Sequence, residues 1–252
     1  MNKITIFFLS VFGLLISAPP VTELLNRMDQ SQKLSSDITA RMSFLQVKPQ
    51  MGTNKYEMIY YRRDRDHAFL LLMLEPSSES GNGYLKTGDN FWMYRKNTRT
   101  FQHINRDENI SGTDIKSGDL EERKYSELYE PAKDEKGSIL PAEETMLGAN
   151  KVYKFTITAK VKDVTYFKQE IWMETGNHLP LKIENYSRSG THMMTQLYKD
   201  YMEIKGRFLP RTGYSIDRFE AGNKTVFNIL QADTAAIADT VFTKAYLENI
   251  SK

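Results

Sequence analysis

Residues Phe69-Leu70-Leu71-Leu72-Met73-Leu74 are apolar at both parities of an extended chain, so any strand they form must be covered on two faces. This predicts a central strand over residues 67–75. Its neighbours carry the weaker pattern of a strand with one wet face: Ile38, Ala40, Met42 and Phe44 alternate with Thr39, Arg41 and Ser43. Residues 51–54 and 63–66 read as turns around a strand at 56–62. Beyond a Ser-rich loop at 76–82, strands at 84–87, 90–95 and 98–104 continue a meander.

Strand patterning returns after Gly137, at 151–161, 165–175, 180–187, 191–204, 213–219 and 224–231, with hairpin turns at Gly176-Asn177 and Ala221-Gly222-Asn223. The total is roughly ten strands, above the usual ~4–6 of a sheet, which requires strong curvature or closure. Two segments break the pattern. Val21, Leu24, Leu25 and Met28 recur at helical spacing, predicting an amphipathic helix over 21–32 capped by Thr22. Residues 105–130 are polar, with Ile115, Leu120, Tyr125 and Leu128 widely spaced, and read as a loop with one or two short helices that serves as a lid. Residues 239–247 form a short closing element. The expected class is mainly β with an α lid.

Lys and Arg number 34 against 32 Asp and Glu, interspersed rather than blocked, which argues against nucleic acid as a partner. His67, His103, His178 and His192 are isolated and lack metal-ligand spacing. No nucleophile elbow, phosphate loop or His-Glu-x-x-His motif occurs, and Asp134-Glu135 and Glu143-Glu144 read as solvated loop charges. No enzyme, metal or cofactor is expected. Residues 1–18 read as an export signal, with Lys3, an apolar stretch over 4–16 and small residues at Ser17-Ala18, followed by Pro19-Pro20. The chain contains no cysteine, so residues 19–252 are expected to fold as one domain without disulfides and without a lipid-modified cysteine.

The aromatic block is more specific. Gly81-x-Gly83-Tyr84-Leu85, Gly88-Asp89-Asn90-Phe91-Trp92-Met93-Tyr94 and Thr98-Arg99-x-Phe101 resemble the LolA/LolB superfamily, in particular its LolA-like outer-membrane lipoprotein-sorting branch. Ser111-Gly112-Thr113-Asp114, Gly118-Asp119-Leu120, Trp172 ahead of Leu179-Pro180-Leu181-Lys182, and Val241-Phe242-Thr243 with Tyr246-Leu247 extend the resemblance over nearly all of residues 19–252. It implies a curved, incompletely closed antiparallel β-barrel, covered by short helices over an apolar cavity for acyl chains.

The implied function is a periplasmic carrier or chaperone for lipoproteins or lipids. Its donor would be an inner-membrane ABC-type or RND-type exporter, and it would deliver to an outer-membrane acceptor. The alternative is a non-enzymatic accessory subunit of a lipid exporter with a filled cavity. The expected lining is Phe69, Leu71, Met73, Trp92, Tyr94, Phe101 and Trp172, with Phe91 and Met93 pointing inward if the hairpin at Lys96-Asn97 shifts parity by one. Arg63, in Tyr61-Arg62-Arg63-Asp64, stands nearest to the arginine that holds the lid in the classical carrier, although a proline follows the basic pair there.

Overall fold

The structure is a computed structural model describing residues 18–252; the expected leader lies outside these residues except for Ala18. Helix α1 (Val21–Gln32) leads into β1 (Ile38–Lys48), β2 (Gly52–Arg63), β3 (Ala68–Glu75), β4 (Gly83–Thr87), β5 (Asn90–Arg95) and β6 (Thr100–Ile104). An insertion follows, with 3-10 turns at Ile110–Gly112 and Ser117–Leu120 and helix α2 (Tyr125–Leu128). The second half holds β7 (Tyr129–Pro131), β8 (Glu143–Leu147), β9 (Asn150–Ala159), β10 (Lys168–Glu174), β11 (Pro180–Tyr186), β12 (His192–Ile204), β13 (Arg207–Asp217) and β14 (Lys224–Asp233). A 3-10 turn (Asp239–Phe242) and α3 (Lys244–Ile250) complete the described chain.

All fourteen strands join one antiparallel sheet in the order β6-β5-β4-β3-β2-β1-β14-β13-β12-β11-β10-β9-β7, with β8 sharing with β7 the edge of β9 that faces away from β10. The sheet is open and curved, because β6 and β7 do not pair. Two meanders are thus fused through β1 and β14, which places the middle of the sheet at the most non-local pairing in the chain. Register irregularities in β1–β14, β2–β3 and β12–β13 bend the strands around a concave face.

The double parity of β3 has a direct explanation. Its Phe69, Leu71 and Met73 pack on the concave side with Tyr84, Phe91 and the insertion's Ile110 and Ile115. Its Ala68, Leu70 and Leu72 pack on the convex side against Leu85 and the C-terminal Ile237, Val241, Phe242 and Leu247. β3 is internal, between β2 and β4.

Local details differ from the sequence reading. Helix α1 begins directly after Pro20 without a side-chain cap, so Thr22 sits inside its first turn. Gly52, Thr53 and Asn54 belong to β2, since their backbones pair with β1 as far as Lys48. β7 and β8 carry no apolar alternation: β7 has three residues, and β8 is an edge strand exposed along nearly its whole length.

The convex cover depends on a close approach at Gly83. A Cβ there would lie 2.6 Å from Leu247 Cδ1 and 2.9 Å from the Leu71 carbonyl oxygen. Gly83→Ala is therefore expected to lower stability by about 1–3 kcal/mol in urea denaturation. An unchanged midpoint would mean that α3 is not seated on β4.

Candidate functional site

The concave face is covered in two halves. On one side, Val21, Leu24, Leu25 and Met28 of α1 pack on Phe155, Ile157, Ile171, Met173 and Ile183 of β9–β11. On the other, Ile110, Ile115 and Leu120 of the insertion pack on β1–β6. Between the two covers lies a cavity of about 250 Å³. Its sheet wall is Met42, Phe44, Leu209, Phe227 and Ile229, and Met28, Tyr125 and Leu128 close it from the helices.

Polar contacts hold the covers together. The carboxylate of Asp29 in α1 accepts from the backbone N–H groups of Tyr125 (2.7 Å) and Ser126 (3.0 Å), so the first turn of α2 is fastened to α1. The Tyr60 hydroxyl donates to the Leu120 carbonyl oxygen at 2.7 Å. Beneath the insertion, Glu121 receives Lys86 Nζ at 3.0 Å and Arg106 Nε at 2.7 Å. Lys86 and Glu121 are 1% and 4% exposed, and Lys86 also donates to the carbonyls of His67 and Gly88. Charges this deep depend on mutual compensation. Glu121→Gln leaves the buried Lys86 without its counter-charge, while Arg106 keeps Asp163, with an expected cost of about 3 kcal/mol in urea denaturation. A midpoint unchanged from the parent would show that water, not Glu121, solvates Lys86.

A polar row crosses the concave face. Gln169 (β10) lies opposite Asn185 (β11), Gln196 (β12) opposite Ser215 (β13), and Thr225 (β14) opposite both Ser215 and Gln46 (β1). All six are buried. The Gln169 amide donates to Asn185 at 2.6 Å, and Asn185 donates to Gln196 at 3.2 Å. The insertion seats along this row: Gln46 donates to the Gly112 carbonyl, Asp114 N–H donates to Thr225 Oγ1 at 3.0 Å, and Thr225 returns a bond to Asp114 Oδ2 at 2.9 Å. Gly118 allows the tight passage beside Arg106, whose carbonyl oxygen would stand 3.1 Å from any Cβ.

Asp119 completes the contact. It accepts from Lys116 N–H at 3.0 Å and faces the cavity beside Gln196. Some of its surface is open to the cavity, yet protein surrounds it, and lost hydration pushes its carboxyl from 3.8 up to about 6. The folded state therefore binds this proton more tightly than the unfolded state. The cost is absent below about pH 4, grows as pH rises through the interval to about 6, and reaches about 3 kcal/mol above it. Burial also raises Asp29 and Asp114, which act in the same direction. Asp119→Asn should match the parent's melting temperature near pH 4 and exceed it above about pH 6.5. A difference independent of pH would mean that Asp119 is well hydrated.

The nine aromatic and apolar residues expected to line the cavity divide by strand parity, and none of them lies on its wall. Phe69, Leu71, Met73, Phe91 and Met93 face the concave side but are filled over by the insertion. Trp92, Tyr94 and Phe101 face the convex side, where Lys244 Nζ lies 3.1 Å from the Trp92 ring centroid. Trp172 has the opposite parity from Ile171 and Met173 and sits between Lys154 and Lys182. Arg63 is also convex: it bonds Asp66, Asp239 (2.7 Å) and the Ile237 carbonyl (3.2 Å), and stacks on Phe242. Its neighbour Arg62 faces the cavity, held by Asp64. Sequence reasoning missed the actual wall, although the alternation of Met42 and Phe44 signalled one part of it. Among the described residues no cluster of three His, Asp or Glu is placed to hold a metal ion.

Residues 65–249 match the profile of a family described as uncharacterized protein. The chain belongs to that family. Solved structures show the same architecture. An outer membrane lipoprotein-sorting protein domain from Vibrio parahaemolyticus is 17% identical, with a TM-score of 0.77 over 90% of this chain and 97% of that one. A LolA superfamily protein from Nitrosomonas europaea is 20% identical, with a TM-score of 0.75 over 91% and 100%. A DUF1329 family protein from Desulfovibrio piger is 17% identical, with a TM-score of 0.77 over 90% and 97%. The fold is LolA-like. No curated protein sequence matches the chain.

Proposed function

We propose that this chain is a carrier that shelters an acyl chain of a lipoprotein or lipid in the cavity between α1, the insertion and the sheet. The observation that carries this reading is a wall of Met42, Phe44, Leu209, Phe227 and Ile229 left unfilled beneath α1 and an insertion that polar bonds tie to the sheet and to α1. An apolar cavity offers a chain the transfer energy it would lose in water, about 0.8 kcal/mol per methylene. The LolA-like fold and the similarity to a lipoprotein-sorting domain agree with it. No helix among the described residues is long and apolar enough to cross a membrane. In this reading the chain is exported to the periplasm by residues 1–18. The folded domain, residues 19–252, receives cargo from an inner-membrane exporter and passes it to an outer-membrane acceptor without catalysis.

The size of the cavity adds a constraint. At about 250 Å³ it falls under the ~300–1,000 Å³ of ordinary ligand pockets, so loading requires the cover to lift from the polar row. The same small volume, with Ile110, Ile115 and Leu120 filling half of the concave face, favours a second reading: an accessory subunit of a lipid exporter whose cavity stays closed.

Native mass spectrometry of the purified full chain, with organic extraction, separates the two. Carriage predicts co-purified or reloadable acyl species, and at least a tenfold loss of binding in Leu209→Trp, which fills the wall at about 1–3 kcal/mol of overpacking. An unliganded mass that persists after incubation with phospholipid and lipoprotein would reject carriage and favour the subunit.

A further inference from the structure

The polar row is covered unevenly. At the β1 and β14 end, the insertion satisfies Gln46 and Thr225 through Gly112 and Asp114. Toward the β10 end only Asp119 comes down, beside Gln196 and Tyr166, and it leaves Gln169 unmet. Gln169 is 3% exposed, and its amide N–H is used on Asn185, but its Oε1 accepts nothing. Tyr166 is 4% exposed; its hydroxyl lies near Asp119 yet forms no hydrogen bond of good geometry. Both side chains line the cavity, as do Asp119 and Gln196. An unmet acceptor and an unmet donor–acceptor, buried at one end of a space whose sheet wall is apolar, are costly unless a ligand or ordered water pairs with them.

We infer that Gln169 Oε1 and the Tyr166 hydroxyl form a subsite for the uncharged hydrogen-bonding head of a single-chain amphiphile, such as the hydroxyls of a monoacylglycerol, whose tail occupies the apolar wall. The head must donate to Gln169 Oε1, because that atom can only accept, and it meets a hydroxyl at Tyr166 that can do either. An anionic head is disfavoured at this end, since the Asp119 carboxyl faces it, while Arg62, Arg106 and Arg123, which also line the cavity, are already paired with Asp64, Glu121 and Asp163. The inference rests on the carrier reading and adds to it the chemistry of the head group.

The test uses the full chain, stripped of lipid, and displacement of a fluorescent acyl probe by three ligands with the same twelve-carbon tail: monolauroylglycerol, methyl laurate and laurate. The parent should bind monolauroylglycerol about tenfold more tightly than methyl laurate, one net hydrogen bond or slightly more, and laurate most weakly at pH 7.5. Gln169→Met and Tyr166→Phe should each reduce that preference to within about twofold, by weakening monolauroylglycerol more than methyl laurate. The Tyr166→Phe melting temperature should hold or rise, since only an unpaired hydroxyl is lost. Equal binding of monolauroylglycerol and methyl laurate by the parent would overturn the subsite and leave the carrier standing, with a buried water as the partner of Gln169. Binding of none of the three, nor of the probe, would reject the carrier itself.

Discussion

The arrangement depends on how Glu121 is buried. Its carboxylate sits between Lys86 of the sheet and Arg106 at the root of the insertion, where hydration is largely lost and only opposite charge and hydrogen bonds offset the penalty. An open sheet whose concave side is apolar needs a cover, and grease alone would let that cover slide. The Lys86–Glu121–Arg106 contact fixes its position, and the Asp114–Thr225 pair fixes its register against the polar row. Once both are set, Leu120 and α2 can lie only where they do, and the space they fail to fill is the cavity.

The two covers differ in adhesive. Helix α1 grips β9–β11 through four buried apolar side chains, whereas residues 112–121 combine two apolar contacts, Ile115 and Leu120, with a larger set of hydrogen bonds and charge pairs. Polar attachments can be exchanged for water at small net cost, roughly 1 kcal/mol each, while apolar ones lose area in proportion to their opening. The insertion is accordingly the element suited to move, and Asp29, which ties α2 to α1, marks where that movement meets the more firmly seated helix.

Much of the frame was legible from local pattern. The double parity of residues 69–74 announced a strand with two covers, and Val21, Leu24, Leu25 and Met28 announced the helix that packs on β9–β11. The motifs at 111–114 and 118–120 proved to be the seat of the insertion, with Asp114 and Asp119 as its polar contacts. The cavity wall was not legible. It is assembled from β1, β13 and β14, brought together by the β1–β14 pairing across some 180 residues, and no local periodicity reports which parity that pairing turns inward. The conspicuous aromatics misled for the same reason: Trp92, Tyr94 and Phe101 satisfy the convex cover. The row from Gln169 to Gln46 exists only as cross-strand register, so its members look like ordinary surface polar residues one at a time.

Hydrogen–deuterium exchange of the full chain with and without a saturating acyl amphiphile tests most directly whether this is a sheet with a lifting cover over a loadable cavity. A lifting cover gives altered protection in residues 105–128, a smaller change in α1, and none in β3 or β4. Unchanged exchange in residues 105–128 under saturating ligand, or a change spread evenly over the sheet, would contradict it.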